Sequence, residues 1–147
     1  MISLEMKKKL TEMAVSASEN SYSPYSNFCV GAALLCPDGR IYTGTNVENS
    51  SYGACNCAER TAIFAAVADG YRKFDAIAII GHRRGESISE ACPPCGICRQ
   101  VIAEFADSDF SVLLYDGKEI FEYKLPEILP LIFLRRLPTS RCTRRYP

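Results

Sequence analysis

With 147 residues, 48% of them hydrophobic and 23% charged, the chain has enough material for one domain with a real core and too little for two. Its formal charge is zero, but five arginines and no acids fall in 135–147, leaving 12 basic against 17 acidic side chains in 1–134, a net charge of −5. An acidic body argues against a polyanion-binding surface, no apolar run approaches a membrane span, and a soluble, cytoplasmic protein is expected. LEMKKKLTEMAVSASEN (4–20) has helical periodicity, with Leu4, Leu10, Met13, Ala14 and Ala17 predicted on one face. SYSPYSN breaks it, FCVGAALLC (28–36) reads as a buried strand, and PDGR turns into a second strand, IYTGTN (41–46). CAERTAIFAAVADG (57–70) is helical and stops at Gly70; FDAIAIIG (74–81) is a strand, followed by the polar loop HRRGESISEA. PPCGICRQVIAEFA (93–106) is a further helix, FSVLLYD and EIFEYKL are strands joined by DGK, and LPEILPLIF (125–133) is a short closing helix. This order predicts a mixed α/β sheet with helices packed on it, as one domain over 1–134 with a flexible basic tail at 135–147.

Eight cysteines stand at 29, 36, 55, 57, 92, 95, 98 and 142. In a reducing compartment Cys95-x-x-Cys98 reads as metal binding or redox chemistry, while Cys29 and Cys36, inside an apolar strand, read as small buried hydrophobes. Both cysteine-rich segments, CNCAER (55–60) and PPCGIC (93–98), stand where a loop becomes a helix. There two thiolates can converge on one ion while helix amides donate to sulfur. A catalytic zinc takes three protein ligands and keeps a fourth position open, and CNCAER offers Cys55 or Cys57 as the third. The zinc deaminase pattern, ligand-x-Glu followed by Pro-Cys-x-x-Cys, is matched by Cys57-Ala58-Glu59 with Pro94-Cys95-Gly96-Ile97-Cys98 and selects Cys57. Glu59 can then reach the space beside the metal without closing it and shuttle protons. Arg60 can offset the negative charge of three thiolates on Zn²⁺.

The chain resembles the small, homotetrameric cytidine deaminases of pyrimidine salvage. The resemblance runs in order through SPYSNFCVGAALL (23–35), GTNVENSSYGACNCAERTAIF (44–64), PPCGICRQV (93–101) and LPLIF (129–133). It implies a three-layer α/β/α fold with a five-stranded mixed sheet, one Zn²⁺ per subunit on Cys57, Cys95 and Cys98, and Glu59 as the catalytic acid–base group. The implied substrates are cytidine and deoxycytidine, converted to uridine and deoxyuridine with release of ammonia. Arg60 would bond the ligand thiolates, Asn46 and Glu48 would hold the ribose 3′-hydroxyl, Phe28 would pack on the base, and backbone groups near Ala58 would read the pyrimidine edge. Tyr25, Tyr52 and Phe133 would complete a neighbouring subunit's pocket in the homotetramer. No nucleic acid or membrane partner is implied. The tail LRRLPTSRCTRRYP departs from the family, whose ends tend to be acidic.

Each feature also has a plainer reading. The cysteines would serve a structural zinc knuckle if Cys55 or Cys92 supplied a fourth ligand, but Glu59 and Arg60 have no purpose there. Asn46 and Glu48 alone would be a polar turn leaving a strand. Phe28, Tyr25 and Tyr52 would be core or interface aromatics, and the lone His82 a solvated loop residue. Two other functions compete: deamination of another cytosine nucleoside such as blasticidin S, and a non-catalytic zinc module that binds RNA through the basic tail.

Overall fold

Ser3 begins the first helix, its hydroxyl accepting the free Met6 N–H at 3.2 Å and capping α1 (Leu4–Ser18). The computed structural model describes residues 2–133, so the basic segment 135–147 lies outside the described residues. After α1 come β1 (Phe28–Leu35), β2 (Ile41–Thr45), α2 (Ala58–Ala68), β3 (Ala76–Arg83), α3 (Gly96–Phe105), β4 (Ser111–Tyr115), β5 (Ile120–Lys124) and α4 (Leu125–Ile128). The strands form one sheet in the order β2-β1-β3-β4-β5. β1 is antiparallel to both β2 and β3, β3 and β4 are parallel, and β5 returns antiparallel to β4. This is the expected five-stranded mixed sheet.

Alternation along the central strands builds two cores. Ala33 and Leu35 of β1 with Ala76, Ala78 and Ile80 of β3 meet Leu10 and Ala14 of α1 on one face. Ala32 and Leu34 with Ile77, Ile79 and Val112 meet Ala62 and Ile63 of α2 and Ile102 of α3 on the other. The result is three layers, with both cysteine-bearing helices on the same side. Small residues set the spacing. A Cβ on Gly44 would sit 2.3 Å from Ala58 O, so α2 rests its first turn directly on β2 and that glycine fixes where the metal-binding segment starts.

Three sequence expectations are corrected. Leu4 is exposed; Ile2 and Met6 cover that end of the sheet, and the buried stripe of α1 is Leu10, Thr11, Ala14 and Ser18. The closing helix is a single turn, because Pro130 disfavours helical backbone at Leu129, which leaves the helix at φ −145°. His82 is not a solvated loop residue. β3 extends to Arg83, His82 pairs with Cys29 in the sheet, and its ring nitrogens lie 3.1 Å from Ser18 Oγ and 2.9 Å from Arg83 O.

Candidate metal centre and substrate cavity

Cys57 and Cys95 are the N-cap residues of α2 and α3, both in extended backbone conformation, and Cys98 follows in the first turn of α3. An N-cap side chain leaves the helix beside its free N–H groups. Because α2 and α3 share a face of the sheet, segments 38 residues apart bring Cys57 Sγ and Cys95 Sγ to 3.9 Å. With Cys98 Sγ they form a cluster whose atoms all lie within 4.8 Å of one another. Cys98 is buried, Cys57 half-buried and Cys95 exposed, so the cluster opens on one side.

Among the described residues no fourth His, Cys, Asp or Glu joins this group. Cys55, the alternative ligand, is engaged instead with Asn49, whose N–H donates to its sulfur at 3.2 Å. Cys92 lines the adjoining cavity, and burial pushes its thiol up to about 11. Among the described residues the remaining cysteines, Cys29 and Cys36, are buried as expected.

The charges around the cluster favour sulfur ligands. The Cys57 thiol is drawn down to about 5, first by its hydrogen bond with Cys98 and then by Arg60, whose Nη2 donates to Sγ at 3.4 Å. Cys98 is held above its usual value, first by its hydrogen bond with Cys57 and then by burial. Arg60 also reaches Cys55 O at 3.5 Å, yet its Nε is buried with no hydrogen-bond partner among the described residues. A guanidinium short of acceptors beside three thiols suits a centre whose sulfurs ionise on binding a soft-tolerant divalent ion, and three thiolates fit zinc.

Glu59 is the second residue of α2 and only 4% exposed. Burial raises its carboxyl above the ordinary carboxylate range, with the neighbouring Cys57 charge adding to the rise. It lines a cavity of about 540 Å³ together with Cys57, Cys95, Val30, Asn46 and Glu48. The metal-side and polar-side residues predicted from sequence therefore share one space. Glu48 Oε2 accepts the N–H groups of Tyr25 and Ser26 at 2.8 and 3.2 Å, and hydrogen bonding from Ser26 holds its carboxyl below the usual range.

Other predicted residues stand differently. Phe28 is not in the cavity wall; its ring lies over Gly81, where an added Cβ would come within 2.8 Å of Cε1. Val30, two residues along the same face of β1, supplies the apolar wall instead. Ala58 is fully buried in the first turn of α2. Tyr25 and Tyr52 line the cavity of their own chain while remaining 57% and 80% exposed. Phe133 is 79% exposed, and its carbonyl accepts Gln100 Nε2 at 2.7 Å. Cys92 and Pro93 also line the cavity, although sequence reasoning gave them no such place; their nearness to Cys95 was the available signal.

A carboxylate two residues beyond a thiol ligand, inside a cavity that the metal cluster opens onto, places the chain in the class of zinc-dependent deaminases. Residues 4–114 match the family described as "Cytidine and deoxycytidylate deaminase zinc-binding region". The cytidine deaminase of Sporosarcina psychrophila is 48% identical over 127 residues, covering 86% of this chain and 90% of that protein. The blasticidin-S deaminase of Bacillus cereus is 30% identical over 109 residues, 72% of this chain and 77% of that one. Among solved structures, the cytidine deaminase of Burkholderia pseudomallei superposes with a TM-score of 0.78 at 44% identity, covering 90% of this chain and all of that one. The chain belongs to the cytidine and deoxycytidylate deaminase family.

Proposed function

We propose that the protein hydrolyses cytidine and deoxycytidine to uridine and deoxyuridine with release of ammonia, as a cytoplasmic enzyme of pyrimidine salvage. The observation that carries this reading is the convergence of Cys57, Cys95 and Cys98 within 4.8 Å beside the buried Glu59. The three sulfurs would hold zinc, which when bound supplies Lewis-acid activation of water. Glu59 is the proton carrier: it takes one proton from the attacking water and delivers it to ring N3, then takes the second from the new C4 hydroxyl and gives it to the 4-amino group, which leaves as ammonia as the C4 carbonyl forms. Its buried position and raised proton affinity support that double role. Asn46 and Glu48 line the same cavity, with Val30 as its apolar wall, and are proposed to hold the ribose 3′-hydroxyl while the backbone at Ala58 reads the base edge. A volume of about 540 Å³ suits a nucleoside. The exposure of Tyr25, Tyr52 and Phe133 supports a homotetramer in which each completes a neighbour's pocket. No helix among the described residues is long and apolar enough to cross a membrane.

Arg60 is proposed to hold the Cys57 thiolate and moderate the charge of the centre. Arg60→Ala is expected to cost about 10–100-fold in zinc affinity or in turnover. Titration with a competing chelator alongside steady-state kinetics checks this, and parental values for both would remove Arg60 from the centre. The function itself is tested by ammonia release from cytidine, deoxycytidine, adenosine, blasticidin S and a cytosine-containing oligonucleotide. Release from the first two alone is expected. Release from blasticidin S or the oligonucleotide alone would overturn the substrate assignment.

A further inference from the structure

Asn46 leaves β2 with its side chain almost fully committed. Val30 N donates to Oδ1 at 2.8 Å, and Nδ2 donates to Phe28 O at 2.9 Å. A backbone N–H can only donate and a carbonyl can only accept, so these partners decide which end of the amide is oxygen. Ser21 Oγ donates the second bond to Oδ1, at 2.6 Å. The oxygen is then saturated, and the amide has one Nδ2 hydrogen left to offer. Glu48 is the converse: with Oε2 occupied by two backbone N–H groups, Oε1 retains the capacity to accept. Facing one cavity, the two side chains present one donor and one acceptor. A hydroxyl group requires that combination.

The groups behind Asn46 have a direction. The Ser21 hydroxyl carries one proton, and Asn46 Oδ1 can only accept it. The 3.0 Å contact between Ser21 Oγ and Ser23 Oγ is therefore donated by Ser23. Ser23 Oγ accepts in turn from Arg84 Nη2 at 3.1 Å, and the same nitrogen donates to Ser21 O at 2.8 Å. Cys29 Sγ, at 3.7 Å from Ser23 Oγ, is left as a further weak donor. Ser21 and Ser23 are 7% and 2% exposed, so water does not compete for these hydroxyls. A cation at the head of such a line polarises each bond after it in the same sense.

We propose that Arg84, Ser23 and Ser21 form a directional hydrogen-bond chain that locks the Asn46 amide with its free N–H toward the sugar, which makes Ser21 a positioning residue for recognition of the 3′-hydroxyl. The inference rests on the reading of Asn46 and Glu48 as the sugar-binding pair. Without the Ser21 hydroxyl, Oδ1 loses one of its two donors and the amide is held less firmly. An amide rotated about its last bond would present oxygen to the sugar beside the Glu48 carboxylate, leaving two acceptors and no donor.

The test is the ratio of kcat/KM for cytidine to kcat/KM for 3′-deoxycytidine. Ser21→Ala is expected to shrink that ratio on the order of tenfold, the worth of one buried hydrogen bond, and Arg84→Met to shrink it by a smaller factor. Ser21→Thr, which keeps the hydroxyl, is expected to restore it. A variant that merely folds less well lowers both rates together and leaves the ratio unchanged. Arg84 lies at the exposed end of the chain, so Arg84→Met decides the matter even if Ser21→Ala fails to fold. A parental ratio in either variant, while Asn46→Ala abolishes the preference for the 3′-hydroxyl, overturns the chain and leaves the sugar reading standing. A parent enzyme indifferent to the 3′-hydroxyl overturns both.

Discussion

Glu59→Gln retains about one zinc per chain, the complement of a three-ligand site, and loses about 10²–10⁴ in kcat, the share of a positioned acid–base group. The two halves of this expectation have separate structural causes. Glu59 stands outside the sulfur cluster, so its replacement removes no ligand. Glutamine also matches its volume, which matters for a side chain only 4% exposed at the start of a helix seated against the sheet. The lost property is the ability to take up a proton and give it back. Metal analysis and single-turnover kinetics on the same preparation separate the effects. A variant that turns over at the parent rate would remove Glu59 from the chemistry, and one that loses zinc would make it part of the metal centre.

Cys57→Ala is expected to abolish both zinc retention and turnover. Cys57 is the one cysteine of the cluster at the start of α2, and a metal held there would join that helix to α3. Its loss leaves Cys95 and Cys98, a pair on one helix start, and two thiolates hold zinc far less firmly than the complete set. The fall in stability is expected to appear as a lower Tm, with an added chelator lowering the parent's Tm toward the variant's, because zinc bound to the folded state alone stabilises it. Cys55→Ala is the paired control for metal content. Its sulfur is occupied with Asn49 and lies outside the cluster, so zinc should remain at about one per chain. Zinc retained in Cys57→Ala and lost in Cys55→Ala would reverse the choice of ligand within CNCAER.

Much of this was legible along the chain. The apolar runs in FCVGAALL and FDAIAIIG marked the two central strands, and Gly39 in the hairpin turn and Gly70 after α2 have φ of 87° and 98°, values that favour glycine. The misreadings share one origin. Leu4 fits the helical period of α1, but the helix begins where Ile2 and Met6 already cover the sheet. His82 sits in a polar stretch, yet it continues the β3 ladder because Cys29 is there to pair with it and Ser18 reaches its ring. Phe28 and Val30 share a strand face, and only the position of Gly81 behind the cavity shows which of them forms the wall. Periodicity says which side a residue faces; it does not say what is opposite.

The chemistry of the centre was determined by the sequence alone, because its parts are local. Cys57-Ala58-Glu59 and Cys95-Gly96-Ile97-Cys98 each span one helix start, where backbone geometry is nearly invariant and spacing translates directly into direction. Only the tertiary structure decided that Cys55 and Cys92 stay outside the cluster, that Asn46 can offer a donor but no acceptor, and that Arg84 stands at the head of the hydroxyls behind it. Those outcomes depend on pairing between groups 16 to 63 residues apart, such as Val30 with Asn46 and Arg84 with Ser21. Each donor and acceptor has many possible mates in the unfolded chain, and it is the packing of loops onto the sheet that leaves one.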